Sequence, residues 1–225
     1  MKRILFATLL LGSVAATGAE GASSDDLARR AIERRAVEAV IWGMPAVNAD
    51  LMLEMLKKTK AKVNEIVYWS RPVNWKNQTL TPNPDSIYFM SFWNVKDGPV
   101  VVDIPPAEGG SIAGNIVNAW QMPLEDAGPE GADKGKGGKY LILPPGHQGA
   151  TPDGYIVLQS DTFSGFALMR SNLKSHADAD IETSVAYGKQ IKVYPLEQAA
   201  SPSATNFSDA YDTMFDSTIR YDASF

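Results

Sequence analysis

Apolar residues recur at helical spacing near the start of the chain, and short apolar runs replace that pattern further on. Within residues 27–41 the apolar positions fall three or four apart, with arginines and acids between them, which predicts an amphipathic helix. Ser23, followed three residues later by an acid, is typical of a helix start. Residues 43–45, Gly-Met-Pro, predict a break, and the helical period resumes within residues 47–56. We therefore predict a helical pair at the N-terminus.

From residue 63 the chain consists of short apolar runs separated by turn residues. We predict strands at residues 65–69, 86–95, 100–104, 111–121, 139–143, 155–159, 165–170 and 190–194. Asp97-Gly98 predicts a hairpin between the second and third of these strands. Because no long helix separates the strands, we expect an α+β, β-dominated fold in which the helical pair packs on an antiparallel β-sandwich or barrel.

Two segments depart from the strand pattern. Residues 125–138 are poor in apolar side chains and rich in glycine, which predicts an exposed, mobile loop. Residues 178–187 are typical of a short helix that begins near Asp178 or Asp180.

The first 22 residues follow the order of a secretory signal peptide. Lys2 and Arg3 precede an apolar run at residues 4–11, and small residues follow as far as residue 22. The run is shorter than the roughly 20 residues of a membrane span. We therefore expect a periplasmic or secreted protein with no stable membrane insertion after signal cleavage. The predicted organisation is a signal peptide (1–22), a helical segment (23–62), a β-rich domain (63–200) and a C-terminal tail (201–225).

Composition argues against several classes of function. The 225 residues carry a net charge of −5 and show no cluster of lysines and arginines, so nucleic acid is not an expected partner. The absence of cysteine excludes thiol catalysis and thiolate metal sites. The histidines are His147 and His176, and no Gly-x-Ser-x-Gly sequence accompanies them, so we expect neither a catalytic triad nor an imidazole metal site. We predict no metal and no cofactor.

The densest set of candidate binding groups lies between residues 69 and 95, where two proline-containing loops lead into an aromatic strand. The candidate ligand-binding residues are Trp69, Arg71, Asn83, Asp85, Tyr88 and Trp93. Asp85 is also the candidate catalytic residue. Indole faces beside amides suit a small or sugar-like ligand. The plainer alternative is that Asp85 only caps its own turn.

Three functions remain open from the residues alone. The first is a binding module with a small-molecule or sugar-like ligand in a cleft lined by Trp69, Trp93, Asn83 and Tyr88. The second is a hydrolase that uses a carboxylate pair, and the third is a structural or assembly domain. The scarcity of catalytic residues favours the first and the third.

In the hydrolase hypothesis, Asp85 works with a second carboxylate as an acid and base pair. The candidates for that second carboxylate are Asp103 and Glu125.

Several separated motifs resemble the N-terminal domain of bacterial proteins known as domain of unknown function 1254. The motifs are WGMP (42–45), TPNPDSIY (81–88), GPVVVDIPP (98–106), DKGKGGKYLILPPG (133–146) and AYGKQIKVYPL (186–196). The resemblance implies an exported β-rich domain, usually followed by a second, 1214-type domain. It places the family's Asn, Asp and Tyr positions at Asn83, Asp85 and Tyr88, and its Gly/Lys loop at residues 133–140. As the family's name states, its biochemical role is not established.

The tail at residues 201–225 is expected to begin a linker or helix towards such a 1214-type domain. Because no stop signal precedes Phe225, we expect this chain to be a fragment, with apolar residues such as Met214 and Phe215 exposed. The expected protein partner is therefore a second copy of the chain or a 1214-type domain.

Overall fold

The computed structural model describes residues 23–78 and 81–218. The predicted signal peptide and the last seven residues of the tail lie outside this range. The chain divides into two compact units, Met1–Trp42 and Gly43–Phe225. The helices are α1 (Ser24–Thr59) and α2 (Asp178–Gly188), and a 3₁₀ turn spans Leu196–Gln198. The strands are β1 (Ile66–Tyr68), β2 (Asn77–Gln78), β3 (Ser86–Asn94), β4 (Val100–Ile104), β5 (Ile112–Asn118), β6 (Pro123–Ala127), β7 (Gly138–Leu143), β8 (Ile156–Gln159), β9 (Ser164–Asn172), β10 (Lys192–Pro195), β11 (Phe207–Asp209) and β12 (Phe215–Asp216).

Helix α1 begins where the sequence predicts but does not break where expected. The Ser23 hydroxyl accepts a hydrogen bond from the Asp26 backbone N–H at 3.1 Å. Both predicted helical segments are helical, yet they form one continuous helix through Pro45. A proline inside a helix costs about 3 kcal/mol or more. Burial of Met52 and Met55 favours the continued helix against that cost.

The part of α1 within the first unit exposes its apolar side chains. The exposed fractions range from 57% to 70% for Leu27, Ile32, Val37, Ile41 and Trp42. The apolar face predicted for this segment is therefore not buried within its own unit. By length and composition alone α1 could cross a membrane, a property that signal sequences and core helices share.

The strands form two main sheets and a small third one. The six-stranded sheet has the order β11-β1-β3-β9-β5-β6, the four-stranded sheet has the order β10-β4-β7-β8, and β12 pairs with β2. Most neighbours are antiparallel as predicted, but β11 on β1, β8 on β7 and β12 on β2 run parallel. The two main sheets are open, and side chains from both sheets form one hydrophobic cluster. The α+β, β-dominated class is confirmed, and the arrangement is sandwich-like.

The turn at Asp97-Gly98 does not make the predicted hairpin. Strand β3 pairs with β1 and, along all its residues, with β9. Strand β4 instead pairs with β7 and β10. The turn therefore carries the chain from the six-stranded sheet to the four-stranded sheet, because β9 already covers one edge of β3 and β1 part of the other.

The six-stranded sheet has two different faces, which strand β3 shows most clearly. Ile87, Phe89 and Trp93 join the cluster shared with the four-stranded sheet, and we call this side the inter-sheet face. Met90 and Phe92, with Tyr88 against them, join a second cluster that contains Met52 and Met55 of α1, and we call this side the helix face. Successive side chains of a strand point to opposite sides, so odd and even positions of β3 belong to different faces.

The tail does not begin a linker or helix as expected. Its residues 207–209 pair with β1 as an edge strand, and β12 pairs with β2. Phe215 is buried in the helix-face cluster, contrary to expectation, whereas Met214 is 63% exposed. The tail up to residue 218 is therefore part of the fold.

Candidate functional site

The loop before β3 is closed by Asn83 and not by Asp85. The Asn83 side-chain oxygen accepts a hydrogen bond from the Asp85 N–H at 2.8 Å, which is the geometry of an Asx turn. The Asn83 N–H in turn donates to the Tyr88 hydroxyl at 2.7 Å. The interpretation that Asp85 caps this turn is wrong, because Asn83 fills that role and ties the loop to the strand that follows.

Asp85 contacts a histidine that the sequence does not place near it. Its Oδ1 lies 2.7 Å from Nε2 of His176, and both side chains are about two-thirds exposed, at 67% and 63%. Arg71 makes a similar exposed pair, with 2.8 Å between its Nη1 and Oδ1 of Asp178. That hydrogen bond raises the pKa of the Arg71 guanidinium. Together the two pairs join the loops before β3 to the start of α2.

Neither proposed second carboxylate accompanies Asp85. Asp103 lies on β4 in the four-stranded sheet, where its register neighbours are Lys139 and Lys192. Burial raises the pKa of the Asp103 carboxyl, and the two ammonium groups partly oppose that rise. Glu125 lies on the edge strand β6. Among the residues that the structure describes, the side-chain partner of Asp85 is His176 and not a carboxylate.

Trp69 and Tyr88 line a small cavity on the helix face. Its volume is about 100 Å³, and we call it the Arg170 cavity. The apolar lining consists of Met52, Trp69, Val73, Tyr88, Met90 and Leu168. Asn77, Thr81, Pro82 and Arg170 complete it.

Strand register places one aromatic residue of this cavity beside its cation. Tyr88 on β3 is paired with Arg170 on β9. The guanidinium carbon of Arg170 lies 5.4 Å from the centre of the Tyr88 ring, a cation–π distance. The Trp69 ring meets the same tyrosine edge-on at 6.3 Å. Asn83 supports this group from outside through the Tyr88 hydroxyl.

A hydrogen-bond donor is left over beside this cavity. Trp69 is 4% exposed, and its indole N–H has no hydrogen-bond partner within the described parts of the chain. A buried indole N–H usually finds an acceptor. Leaving such a donor unpaired costs about 1–3 kcal/mol.

Trp93 does not share the cavity with Trp69. It lies on the inter-sheet face, 1% exposed, and its ring covers Gly165, where an added Cβ would lie 2.2 Å from the indole. Trp93 lines a separate cavity of about 240 Å³ together with Asp50 and Phe166. The single cleft predicted to hold both tryptophans is therefore wrong, because the two positions belong to opposite faces of the sheet.

Residues 125–138, predicted to form an exposed and mobile loop, are anchored by a buried carboxylate, while Lys134 and Lys136 are exposed as expected. Asp133, 7% exposed, accepts hydrogen bonds from the backbone N–H groups of Gly128 at 2.6 Å and Gly137 at 3.2 Å. It also accepts one from the Tyr140 hydroxyl at 2.8 Å. Burial, together with this hydrogen bond, raises the pKa of Tyr140. The carboxylate is satisfied by the loop it closes, which indicates a structural role.

The described residues bring together no group of three His, Asp or Glu side chains that could hold a metal ion.

Two solved structures align with this chain, and the first of them shares its fold. The VPA0106 protein from Vibrio parahaemolyticus superposes with a TM-score of 0.55 at 18% identity, over 75% of this chain and 39% of its own. An uncharacterized protein from Burkholderia cenocepacia gives a TM-score of 0.39 at 12% identity, over 73% of this chain and 44% of its own. The chain thus spans less than half the length of these two proteins.

No curated protein matches the chain. A family model described as "Protein of unknown function (DUF1254)" matches residues 63–195, which is more than half of the chain. The chain therefore belongs to the DUF1254 family.

Proposed function

We propose that this chain is a small-molecule-binding domain whose ligand occupies the Arg170 cavity. The observation that carries the proposal is the buried indole N–H of Trp69, which has no acceptor in the described parts of the chain and belongs to a residue that lines an existing cavity. A bound ligand that supplies the acceptor would remove the cost of that unpaired donor. The order of residues 1–22 supports a periplasmic or extracellular setting for this binding.

The size of the cavity favours a small ligand over a whole sugar. Pockets for drug-sized ligands measure about 300–1,000 Å³, and a cavity of about 150 Å³ holds one benzene molecule. At about 100 Å³ the Arg170 cavity takes a few non-hydrogen atoms. The Trp93 indole N–H also has no partner among the described residues, but the larger cavity beside it is a weaker candidate, because its described lining contains one acid and no cation.

The binding proposal is tested by thermal unfolding of the chain with small molecules of four to six non-hydrogen atoms, both neutral and charged. A ligand present at about 100 times its Kd adds about 2.7 kcal/mol to the free energy of unfolding. Leu168→Phe fills the cavity and is expected to abolish this gain. Val157→Phe enlarges an exposed side chain on β8 and serves as the matched control. Stabilisation that survives Leu168→Phe would place the ligand elsewhere.

A second candidate function is hydrolysis with Asp85 and His176 as the acid and base pair. The 2.7 Å contact between them supports it, because a carboxylate fixes the orientation and tautomer of a catalytic imidazole. If this is the function, Asp85→Asn and His176→Gln each abolish turnover of a responsive ester or glycoside while the chain stays folded. If neither binding nor turnover is found, the structural or assembly role is the better account.

A further inference from the structure

Arg170 is a partly buried cation with no acidic partner among the described residues. It lies on the central strand β9, on the same face as Phe166 and Leu168, between Tyr88 on one side and Ala113 on the other. Within the described residues, its side chain interacts with the Tyr88 ring, over which the guanidinium stacks. A guanidinium carries several N–H donors in a fixed fork, and the Tyr88 ring satisfies none of them as a hydrogen-bond acceptor would.

Other arginines of the chain differ from Arg170 in one of two ways. Arg29, Arg35 and Arg71 each have a carboxylate within 3.3 Å. Arg30 and Arg34 have no such partner among the described residues, but both are exposed to solvent. Arg170 combines partial burial in a mostly apolar lining with the lack of an acid within the part of the chain that the structure describes, and withdrawing a charge from water is costly unless it is paired.

Two polar groups at the cavity, the Arg170 guanidinium and the Trp69 indole, call for an acceptor, whereas the Asn77 amide and the Thr81 hydroxyl can both donate and accept. The Arg170 guanidinium offers N–H groups only, and so does the Trp69 indole. An ionised carboxylate has oxygens that only accept, and it matches the guanidinium fork with two parallel hydrogen bonds. An amide or an alcohol of the same size would bring a donor of its own and no charge.

This inference rests on the function proposed above and names its class of ligand. We propose that the Arg170 cavity binds a short-chain monocarboxylate. The carboxylate is held by the Arg170 guanidinium and the Trp69 indole N–H, and the short apolar body packs against Met52, Met90 and Leu168. The volume of about 100 Å³ suits molecules of the size of acetate or propionate.

The test compares sodium propionate with propionamide and 1-propanol at matched sodium concentration. Binding is followed by calorimetry and by the NMR signal of the Trp69 indole N–H. Propionate is expected to bind and to move that signal as the N–H gains an acceptor. The two neutral analogues should bind about ten- to a hundredfold more weakly, because they lack the charge-assisted hydrogen bonds. Inorganic phosphate and acetate are tested in the same way.

Substitutions then assign the effect to the guanidinium. Arg170→Gln is expected to weaken propionate binding by about ten- to a hundredfold, and Arg170→Lys by less, because an ammonium keeps the charge without the fork. Arg35→Gln removes an exposed, paired arginine that does not line the cavity and should leave the affinity unchanged. If Arg170→Gln does not fold, the carboxylate inference is tested by Arg170→Lys and by the ligand series on the unmodified chain.

The outcomes separate the two proposals. Equal binding of propionate and propionamide, or full affinity in Arg170→Gln, overturns the carboxylate inference and leaves the cavity as a binding site. Preference for inorganic phosphate over every carboxylate also overturns it. If none of these molecules binds and none moves the Trp69 signal, the cavity holds water, and the proposed function fails together with the inference.

Discussion

The two faces of the six-stranded sheet are built on different principles. On the inter-sheet face, Ile87, Phe89 and Trp93 pack against the four-stranded sheet and are each at most 1% exposed. On the helix face, Tyr88 and Arg170 are only partly buried, and a cavity remains between their strands and α1. The same strands supply both faces, so the contrast comes from alternate positions along one chain segment.

This contrast separates stability from binding within a single sheet. A filled interior loses free energy whenever a side chain is shortened. The helix face contains a cavity and a cation with no acidic partner among the described residues, so it has given up some of that packing. Proteins commonly retain such local costs at functional sites. We therefore expect substitutions on the inter-sheet face to change folding most, and substitutions around the Arg170 cavity to change ligand affinity most.

The largest effect is expected from Phe89→Ala on the inter-sheet face. Phe89 is fully buried, stacks on Tyr68 at 5.7 Å and meets Phe207 edge-on. Its truncation should lower the free energy of unfolding by about 3–5 kcal/mol, measured by urea denaturation. The neighbour Met90, on the helix face, lines the existing cavity. Met90→Ala should therefore lower the free energy of unfolding by about 2 kcal/mol, near the low end of the range for a buried Met→Ala substitution. A greater loss for Met90→Ala than for Phe89→Ala would contradict the contrast between the faces.

A smaller effect is expected from alkaline pH, which acts on buried tyrosines of the four-stranded sheet. Burial raises the pKa of Tyr194 to about 12, and burial with the Asp133 contact raises the pKa of Tyr140. In the unfolded chain a tyrosine has a pKa of about 10. The stabilisation from keeping the phenol neutral is therefore complete below about pH 10, and for Tyr194 it is lost as the pH rises from about 10 to about 12.

Urea denaturation at pH 9, 10 and 11 measures this loss, and Tyr194→Phe provides the control. Lysines also titrate in this range, but they are the same in both proteins, so the difference between the two pH profiles isolates Tyr194. Above pH 10, the free energy of unfolding of Tyr194→Phe should fall less steeply with pH than that of the unmodified chain. Identical profiles would mean that this phenol ionises as readily in the folded chain as in the unfolded one.

Local sequence patterns predicted the elements well and their partners less well. Strand β4 was placed at its observed bounds, and the position of β3 was off by one residue at its end. Strict alternation would also have separated Tyr88 from Trp93, because an even and an odd position of one strand cannot face the same cleft. The concentration of aromatic residues between residues 69 and 95 predicted a single site, although these residues are divided between the two faces of the six-stranded sheet.

Long-range pairing was beyond the reach of the sequence. The contact between Asp85 and His176 joins positions separated by 91 residues. The place of Arg170 beside Tyr88 follows from the register of β3 and β9, which no local motif encodes. Asp133 stood within a motif rich in glycine and lysine, and its burial depends on backbone donors that only the folded loop brings together. The partners of Asp85 and Arg170 lie far away in the chain, whereas Asp133 has nearby partners that only the folded loop turns toward it.

The smallest effects are expected at the loop that borders the Arg170 cavity, and they distinguish Asn83 from Asp85. Asn83 closes the turn and holds Tyr88, so Asn83→Ala should cost about 0.5–2 kcal/mol by analogy with side-chain caps of helices. Asp85→Ala removes only an exposed pair with His176, and such pairs contribute about 0–1 kcal/mol.

Ligand binding extends this comparison of Asn83 with Asp85. Asn83→Ala should also weaken binding in the Arg170 cavity modestly, because Tyr88 loses its anchor and the Arg170 guanidinium loses a fixed ring to stack on. Asp85→Ala should leave affinity unchanged, since its side-chain partner lies outside the cavity lining. Urea denaturation and propionate calorimetry on the two variants provide the measurements. Lost affinity in Asp85→Ala with intact binding in Asn83→Ala would move the site from the cavity to the exposed Asp85–His176 pair.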